Sequence, residues 1–230
     1  MTIQTDERSG LDRFLGVFAE VRPGEGRVAL LLALNVFLIL MAYYVLKPVR
    51  EALILGQGSA ELKTYMSAGQ VVLLAFVVPY YGRLVVRFER MRLINVVTAF
   101  FVACLIAFYV LAQFDVPLAI VFFLWIGIFN LMIVAQFWSF ANDLYSKEEG
   151  ERLFAIVGFG ASLGAVLGAR VADRLIEPLG VYQLMLVGAL VLGAQLAITN
   201  YIDHIEIGRA RAKTAPRSAA RRKGTKARML

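Results

Sequence analysis

The sequence predicts an all-α, polytopic membrane protein with six transmembrane helices. Three observations carry the helical membrane class. Charge-free apolar runs occupy 28–46, 64–82, 93–114, 116–142, 153–169 and 178–202. A helix rising 1.5 Å per residue needs roughly 20 residues to cross a hydrocarbon core of about 30 Å, and these runs are of that order. Only 18% of the 230 residues are charged and 60% are hydrophobic, where a soluble domain averages about a quarter charged. Finally, the runs lack the apolar–polar alternation of barrel strands, so a helix is the remaining way to satisfy the backbone in lipid.

Residues 1–27 are charged throughout and show no apolar segment of a cleavable leader. Leu11, Phe14, Phe18 and Val21 recur at helical spacing, which predicts a short interfacial helix before the first span. Residues 28–205 form the expected six-helix domain. The loop 82–92, GRLVVRFERMR, reads as compact and basic, and 113–117 as a tight turn set by Asp115 and Pro117. Ser146 and Glu149 have capping-box spacing and mark the start of the fifth helix. Residues 206–230 are basic, rich in Ala and without apolar periodicity, so they read as a disordered tail.

The formal charge of +7 raises the question of nucleic acid, and the placement of the cations answers it. Nineteen of the 24 Lys and Arg residues fall on the side of the termini and five on the other: Lys47, Arg50, Lys63, Arg170 and Arg174. That asymmetry is a topology signal, with both termini and loop 82–92 in the cytoplasm and the protein in the inner (cell) membrane. No nucleic-acid partner is expected. Cys104 is the sole cysteine and His204 the sole histidine, too few for a typical metal site.

The first span ends in AYYVLKPVREALIL, where Lys47, Arg50 and Glu51 precede four more apolar residues. At 100° per residue, Tyr43, Lys47 and Arg50 fall within about 60° of one another on a helix. Cations at membrane depth are costly on a lipid face and therefore belong in a lined cavity, where a guanidinium suits a phosphate. The competing reading is headgroup snorkelling, with Glu51 paired to Lys47 at i, i+4. Asn35, Gln70, Asn130 and Gln136 are polar residues within spans, and interhelical hydrogen bonds are their first reading. Asn130 is carried as a substrate-contact candidate as well. Gly160, Gly164 and Gly168 at four-residue spacing predict close helix packing. Arg170, Asp173, Arg174 and Glu177 are spaced for i, i+3 ion pairs.

Two motifs are set aside. Gly158, Gly160 and Gly164 have the wrong spacing for a dinucleotide loop, and no strand precedes them. Residues 160–164 match G-x-S-x-G, but Ser162 lies inside a membrane helix while His204, the one histidine, lies beyond the sixth span.

Three stretches taken together, RPGEGRVALLLALNVFLILMAYYVLKPVREALIL, AQFWSFANDLYSKEEGERLF and VGFGASLGAVLGA, resemble the ATP/ADP translocase (nucleotide antiporter) family and its bacterial relatives. The resemblance covers residues 20–205 and the N-terminal six-helix half only, and it implies the architecture of half a major-facilitator-type transporter. It implies a nucleotide substrate, exchanged by alternating access, with Arg50 as phosphate contact, Lys47 as a second contact, and Glu51 as the acidic member of the pair. Two departures accompany it. Leu124, Trp125 and Ile126 stand where the nucleotide exchangers carry a carboxylate. Of the facilitator loop pattern G-x-x-x-D-R-x-G-R, Gly82, Arg87 and Arg90 match, while Val86 and Glu89 replace the Asp and the second Gly.

The expected function is thus secondary transport of an anionic, phosphate-bearing solute, with Tyr43, Lys47, Arg50, Glu51 and Asn130 as the substrate-binding candidates. The expected partners are a nucleotide or other organic anion, the lipid bilayer, and either a second six-helix half or a second copy of the chain. No enzymatic activity, cofactor or metal is expected. The alternative is a non-transporting membrane module, or truncated half, that acts only by binding a partner.

Overall fold

The computed structural model describes residues 20–22, 25–57 and 60–227, the side chains of Gln57, Ala60 and residues 206–227 excepted. Six helices follow in order: α1 (Gly26–Gln57), α2 (Ala60–Arg87), α3 (Arg90–Ala112), α4 (Ala119–Leu144), α5 (Lys147–Leu179) and α6 (Gln183–Ala227). Each contains a stretch long and apolar enough to cross a bilayer, and among the described residues none is in a strand. The end of the bundle holding the start of α1 and the α2–α3 and α4–α5 turns is called the near end here. The opposite end is the far end.

α1 is the central helix, because it is apolar around most of its circumference. Val28, Leu32, Val36, Ile39, Ala42, Val45, Val49 and Leu53 recur at helical spacing and are all buried. The helix packs most closely against α5 and also against α6 and α4. The α5 contact is backbone to backbone. A Cβ built on Gly160, Gly164 or Gly168 would stand 2.4, 2.2 or 2.6 Å from the carbonyl oxygens of Ala33, Phe37 and Met41. The three glycines are therefore required by the seam, as their spacing predicts.

α3 and α4 meet through rings. Phe101, Phe108, Phe122 and Phe129 surround Trp125 with centroids 5.4–5.6 Å from its own, and Trp125 lies stacked on Phe129. The absence of a carboxylate around residue 125 has its physical reason here, since this stretch of α4 is buried in an aromatic cluster. α3 is tied to α6 by a reciprocal amide pair, Asn95 with Asn200, at 2.8 and 3.0 Å. α2 is the outlying helix. It packs chiefly on α4, where Gln70 lies against Gly127, and its apolar stretch has no fully buried residue, though Met66, Tyr81 and Leu84 pack partly buried against the core.

The boundaries follow local chemistry. Ser146 caps α5 with the full capping box, its hydroxyl accepting from Glu149 N–H and the Glu149 carboxylate accepting from Ser146 N–H. Asp115 adopts φ 54 in the α3–α4 connection, a conformation that Asp tolerates better than most residues.

Four expectations need correction or fall outside the described residues. The 82–92 loop is mostly helix, since α2 continues to Arg87 and α3 starts at Arg90. The sixth span does not start at Pro178. α5 runs through Pro178 to Leu179 and turns at Gly180, φ 93, because lack of charge does not mark a turn whereas a left-handed glycine does. The basic segment after residue 205, expected to be disordered, continues α6 as helix to Ala227. Ala, Arg and Lys are strong helix formers, and elongating an existing helix needs no new nucleus. Of the expected interfacial helix, Leu11, Phe14 and Phe18 lie outside the described residues, while Val21 is buried with Ala29, Ala33, Leu153 and Ile156.

At the near end, Arg152 of α5 holds the segment leading into α1. Its guanidinium donates to both Glu25 carboxylate oxygens at 3.1 and 3.2 Å and to the Glu20 carbonyl, and Arg22 N–H donates to Glu25 at 3.0 Å. Partial burial works to raise the Glu25 carboxyl. The hydrogen bonds from Arg152 and the Arg22 backbone, with their charges, outweigh it and hold it below its ordinary range. A depressed carboxyl contributes stability that is complete above its unfolded value, about 4.3, and disappears as pH falls through the lower native one. Thermal melts of wild type should therefore drop on acidification through this window, and Arg152→Gln should flatten that part of the profile.

A second expectation concerns the α1–α5 seam. Gly164→Ala should destabilise by about 1–3 kcal/mol through overpacking against the Phe37 carbonyl. Gly158→Ala, where a Cβ meets nothing within 4 Å, should be neutral or better in the same thermal melt.

Candidate substrate site at the far end of the central helix

α1 does not stop at Leu46. It continues through Pro48 to Gln57, so Lys47, Arg50 and Glu51 stand on a helix whose last turns bury Leu53 and Ile54. Pro48 removes one backbone donor and leaves the Tyr44 carbonyl without its helical partner. That carbonyl lies where α1 borders α5.

Arg50 is only 17% exposed. Its guanidinium sits 5.2 Å from the centroid of the Phe123 ring of α4, and it donates to Glu51 Oε1 from NH2 at 2.5 Å and from Nε at 3.2 Å. The other carboxylate oxygen, Glu51 Oε2, accepts from Lys63 Nζ of α2 at 2.6 Å. One carboxylate thus lies between two cations, and the cluster carries one net positive charge where α1, α2 and α4 meet.

Lys47 looks elsewhere. Its Nζ lies 5.4 Å from the centroid of the Tyr44 ring and borders a cleft of about 320 Å³ between α1 and α5, which Asp173 also lines. The helical projection therefore put Lys47 and Arg50 too close together in function. They share one end of one helix but face different neighbours, because long side chains choose partners that backbone angle alone does not specify. The Glu51–Lys47 pairing of the competing reading is likewise replaced, since Glu51 is held by Arg50 and Lys63. Tyr43 is half-buried, its ring edge-on to Tyr44 at 5.4 Å. Asn130 is half-buried on α4, seven residues along from Phe123, which places it about 10 Å deeper in the bundle. Arg170, Arg174 and Glu177 form no ion pair with one another or with Asp173 within 4 Å.

Lys63 is the member that sequence reasoning missed. A signal existed: with only 58–59 between α1 and α2, the first turn of α2 must lie beside the last turns of α1.

The near end has its own charged pair. Arg90, a match to the facilitator loop pattern, donates to Asp143 at 2.6 Å and lies 5.3 Å from the Phe140 ring centroid. Both border a cleft of about 210 Å³ with Tyr81, Gln136 and Ser139. Ser162 donates to the Gly158 carbonyl at 3.1 Å inside α5, so the G-x-S-x-G stretch is plain helix rather than a nucleophile elbow. Among the described residues no cluster of His, Cys, Asp or Glu could hold a metal ion.

Five apolar helices around a central one, with basic side chains at its far end, define a multi-pass membrane protein built as a six-helix transporter half. The family model of the Major Facilitator Superfamily matches residues 9–169, more than half of the chain, and the chain belongs to that superfamily. It is accordingly a member of a family of secondary transporters, with the bilayer and a transported solute as its partners. Neither curated proteins nor solved structures yield a match to this chain.

The geometry makes Glu51 the keystone of the far-end cluster. Glu51→Gln leaves two cations without their carboxylate, whereas Lys63→Gln leaves Glu51 still paired with Arg50. With partners partly exposed, Glu51→Gln should cost about 1–2 kcal/mol, between the surface and buried limits. Lys63→Gln should cost clearly less in the same denaturation assay.

Proposed function

We propose that this chain forms one wall of a secondary transporter for an organic anion bearing phosphate, a nucleotide in the first instance, moved by alternating access. The observation that carries the reading is the partly buried Arg50–Glu51–Lys63 cluster with its net positive charge at the junction of three helices. Arg50 and Lys63 present donors that a phosphate can share with Glu51 or take from it, since charge-assisted hydrogen bonds to phosphate are strong. Lys47, in the α1–α5 cleft, supplies a second cation toward the same end. Tyr43 and Asn130 extend the candidate lining inward.

A facilitator site lies between two repeats near the midplane. The proposed second wall is another six-helix half, either a second copy or a separate unit. The outlying α2 supports this, because its exposed face carries Tyr65, Val71, Val72, Phe76 and Tyr80, enough apolar surface for a partner helix or lipid. The charge asymmetry of the sequence supports an inner-membrane location with the near end and both termini cytoplasmic.

A non-transporting module that acts only by binding a partner is the second reading. It is favoured by Arg50 being already engaged by Glu51 and Phe123. Uptake of labelled ATP or ADP into proteoliposomes distinguishes the two. Transport requires uptake by wild type, and Arg50→Gln should weaken apparent affinity roughly 10–100-fold, the loss of one charged hydrogen-bond partner. Uptake unchanged in the Lys47→Gln, Arg50→Gln double variant would remove both residues from the site. No uptake of any phosphate-bearing anion, together with a stable heteromer on mild extraction, would favour the second reading.

A further inference from the structure

Where α1, α3, α4 and α6 meet, five polar residues are buried to at least nine-tenths: Asn35, Thr98, Gln136, Gln195 and Thr199. Three of them form a closed set. Asn35 Nδ2 donates to Thr199 Oγ1 at 2.7 Å and to the Gln195 carbonyl at 3.3 Å, and Gln195 Nε2 donates to Thr199 Oγ1 at 2.8 Å and to Asn35 Oδ1 at 3.2 Å. The Thr199 hydroxyl donates to the Gln195 carbonyl at 3.1 Å. This set joins α1 to α6.

Gln136 of α4 stands across from it without joining it. Gln195 Oε1 and both amide atoms of Gln136 are buried without a hydrogen-bond partner in the protein. All five residues line one small cavity, with about 10 Å³ of space for the centre of a water molecule. That volume is at the threshold for holding one water, which also needs two to four polar partners. The unmatched atoms are two acceptors and one donor. A metal cation would answer the acceptors but repel the Gln136 N–H, whereas a water has hydrogens and lone pairs to meet both.

We infer that this junction is a binding site for a resident water that joins Gln136 of α4 to the Asn35–Gln195–Thr199 set of α1 and α6. Gln136 also borders the near-end cleft, where the Tyr81 phenol stands close to it without hydrogen-bond geometry. Its amide is therefore the partition between the internal site and solvent in the cleft, and the water exchanges past it. The inference is independent of what the bundle transports.

Millisecond X-ray radiolysis of the full chain in lipid nanodiscs, read by mass spectrometry, tests this directly, because hydroxyl radicals formed from a resident water oxidise the side chains beside it. Phe137 and Phe140 line the cavity, while the equally buried Phe122 and Phe129 do not. Oxidation of Phe137 and Phe140 should be several-fold above that of Phe122 and Phe129. Gln136→Met, which keeps the shape and removes both amide atoms, should bring them down to the same level. Equal labelling of all four rings in wild type overturns the site, and that comparison needs no variant to fold. Labelling of Phe137 and Phe140 unaltered in a folded Gln136→Met protein overturns the role of Gln136.

Discussion

The contact on which the rest of the bundle depends is the approach of α5 to α1. At Gly160, Gly164 and Gly168 the α5 backbone lies directly on the carbonyls of Ala33, Phe37 and Met41, leaving no room for a side chain. In lipid there is little hydrophobic force between helices, so association rests on close van der Waals packing and interhelical hydrogen bonds. Three small residues on one face allow that closeness over two turns of helix. With α5 seated there, α6 and α4 pack on other faces of α1. Leu30, Leu34 and Lys47 of the central helix stay exposed, while Arg50 at its charged end is mostly covered.

Polar groups in this fold are handled according to depth. At both ends they are charged, bidentate or bridged, and lie next to an aromatic ring: Arg50 on Phe123, Arg90 on Phe140. In the interior they are neutral amides and hydroxyls arranged across helices, as in Asn35 with Thr199 and Gln195. Neutral groups cost far less to bury than ions, and each interhelical pair contributes a direction that apolar packing lacks. The interior amides thus fix which helix neighbours which, while the terminal charges stay partly exposed.

Legibility along the chain varied with the range of the cause. The capping box at Ser146 and the glycine stripe of α5 were readable because each depends on spacing within one helix. Asn35 was readable as an interhelical hydrogen bond from its chemistry alone, since an amide in a span needs a partner. Gln136 has the same chemistry, yet neither of its amide atoms finds a hydrogen-bond partner in the protein. The partnership of Glu51 with Lys63 was missed because it crosses a turn, and the divergence of Lys47 from Arg50 because it depends on what α4 and α5 offer on either side. The extent of α6 was missed for a different reason. Basic composition signals lack of a core, but it does not forbid a helix that is already under way.

By itself the sequence determined the number of spans, their helical nature and the identity of the central charged segment. Those follow from the length and neutrality of apolar runs, which the bilayer enforces one helix at a time. Only the tertiary structure decided that Glu51 bridges two cations, that Trp125 lies in an aromatic cluster instead of at a charged site, and that the polar junction at Gln136 exists. Each needs side chains from three or four helices at a single depth, and the register between helices is set by packing that no single span encodes.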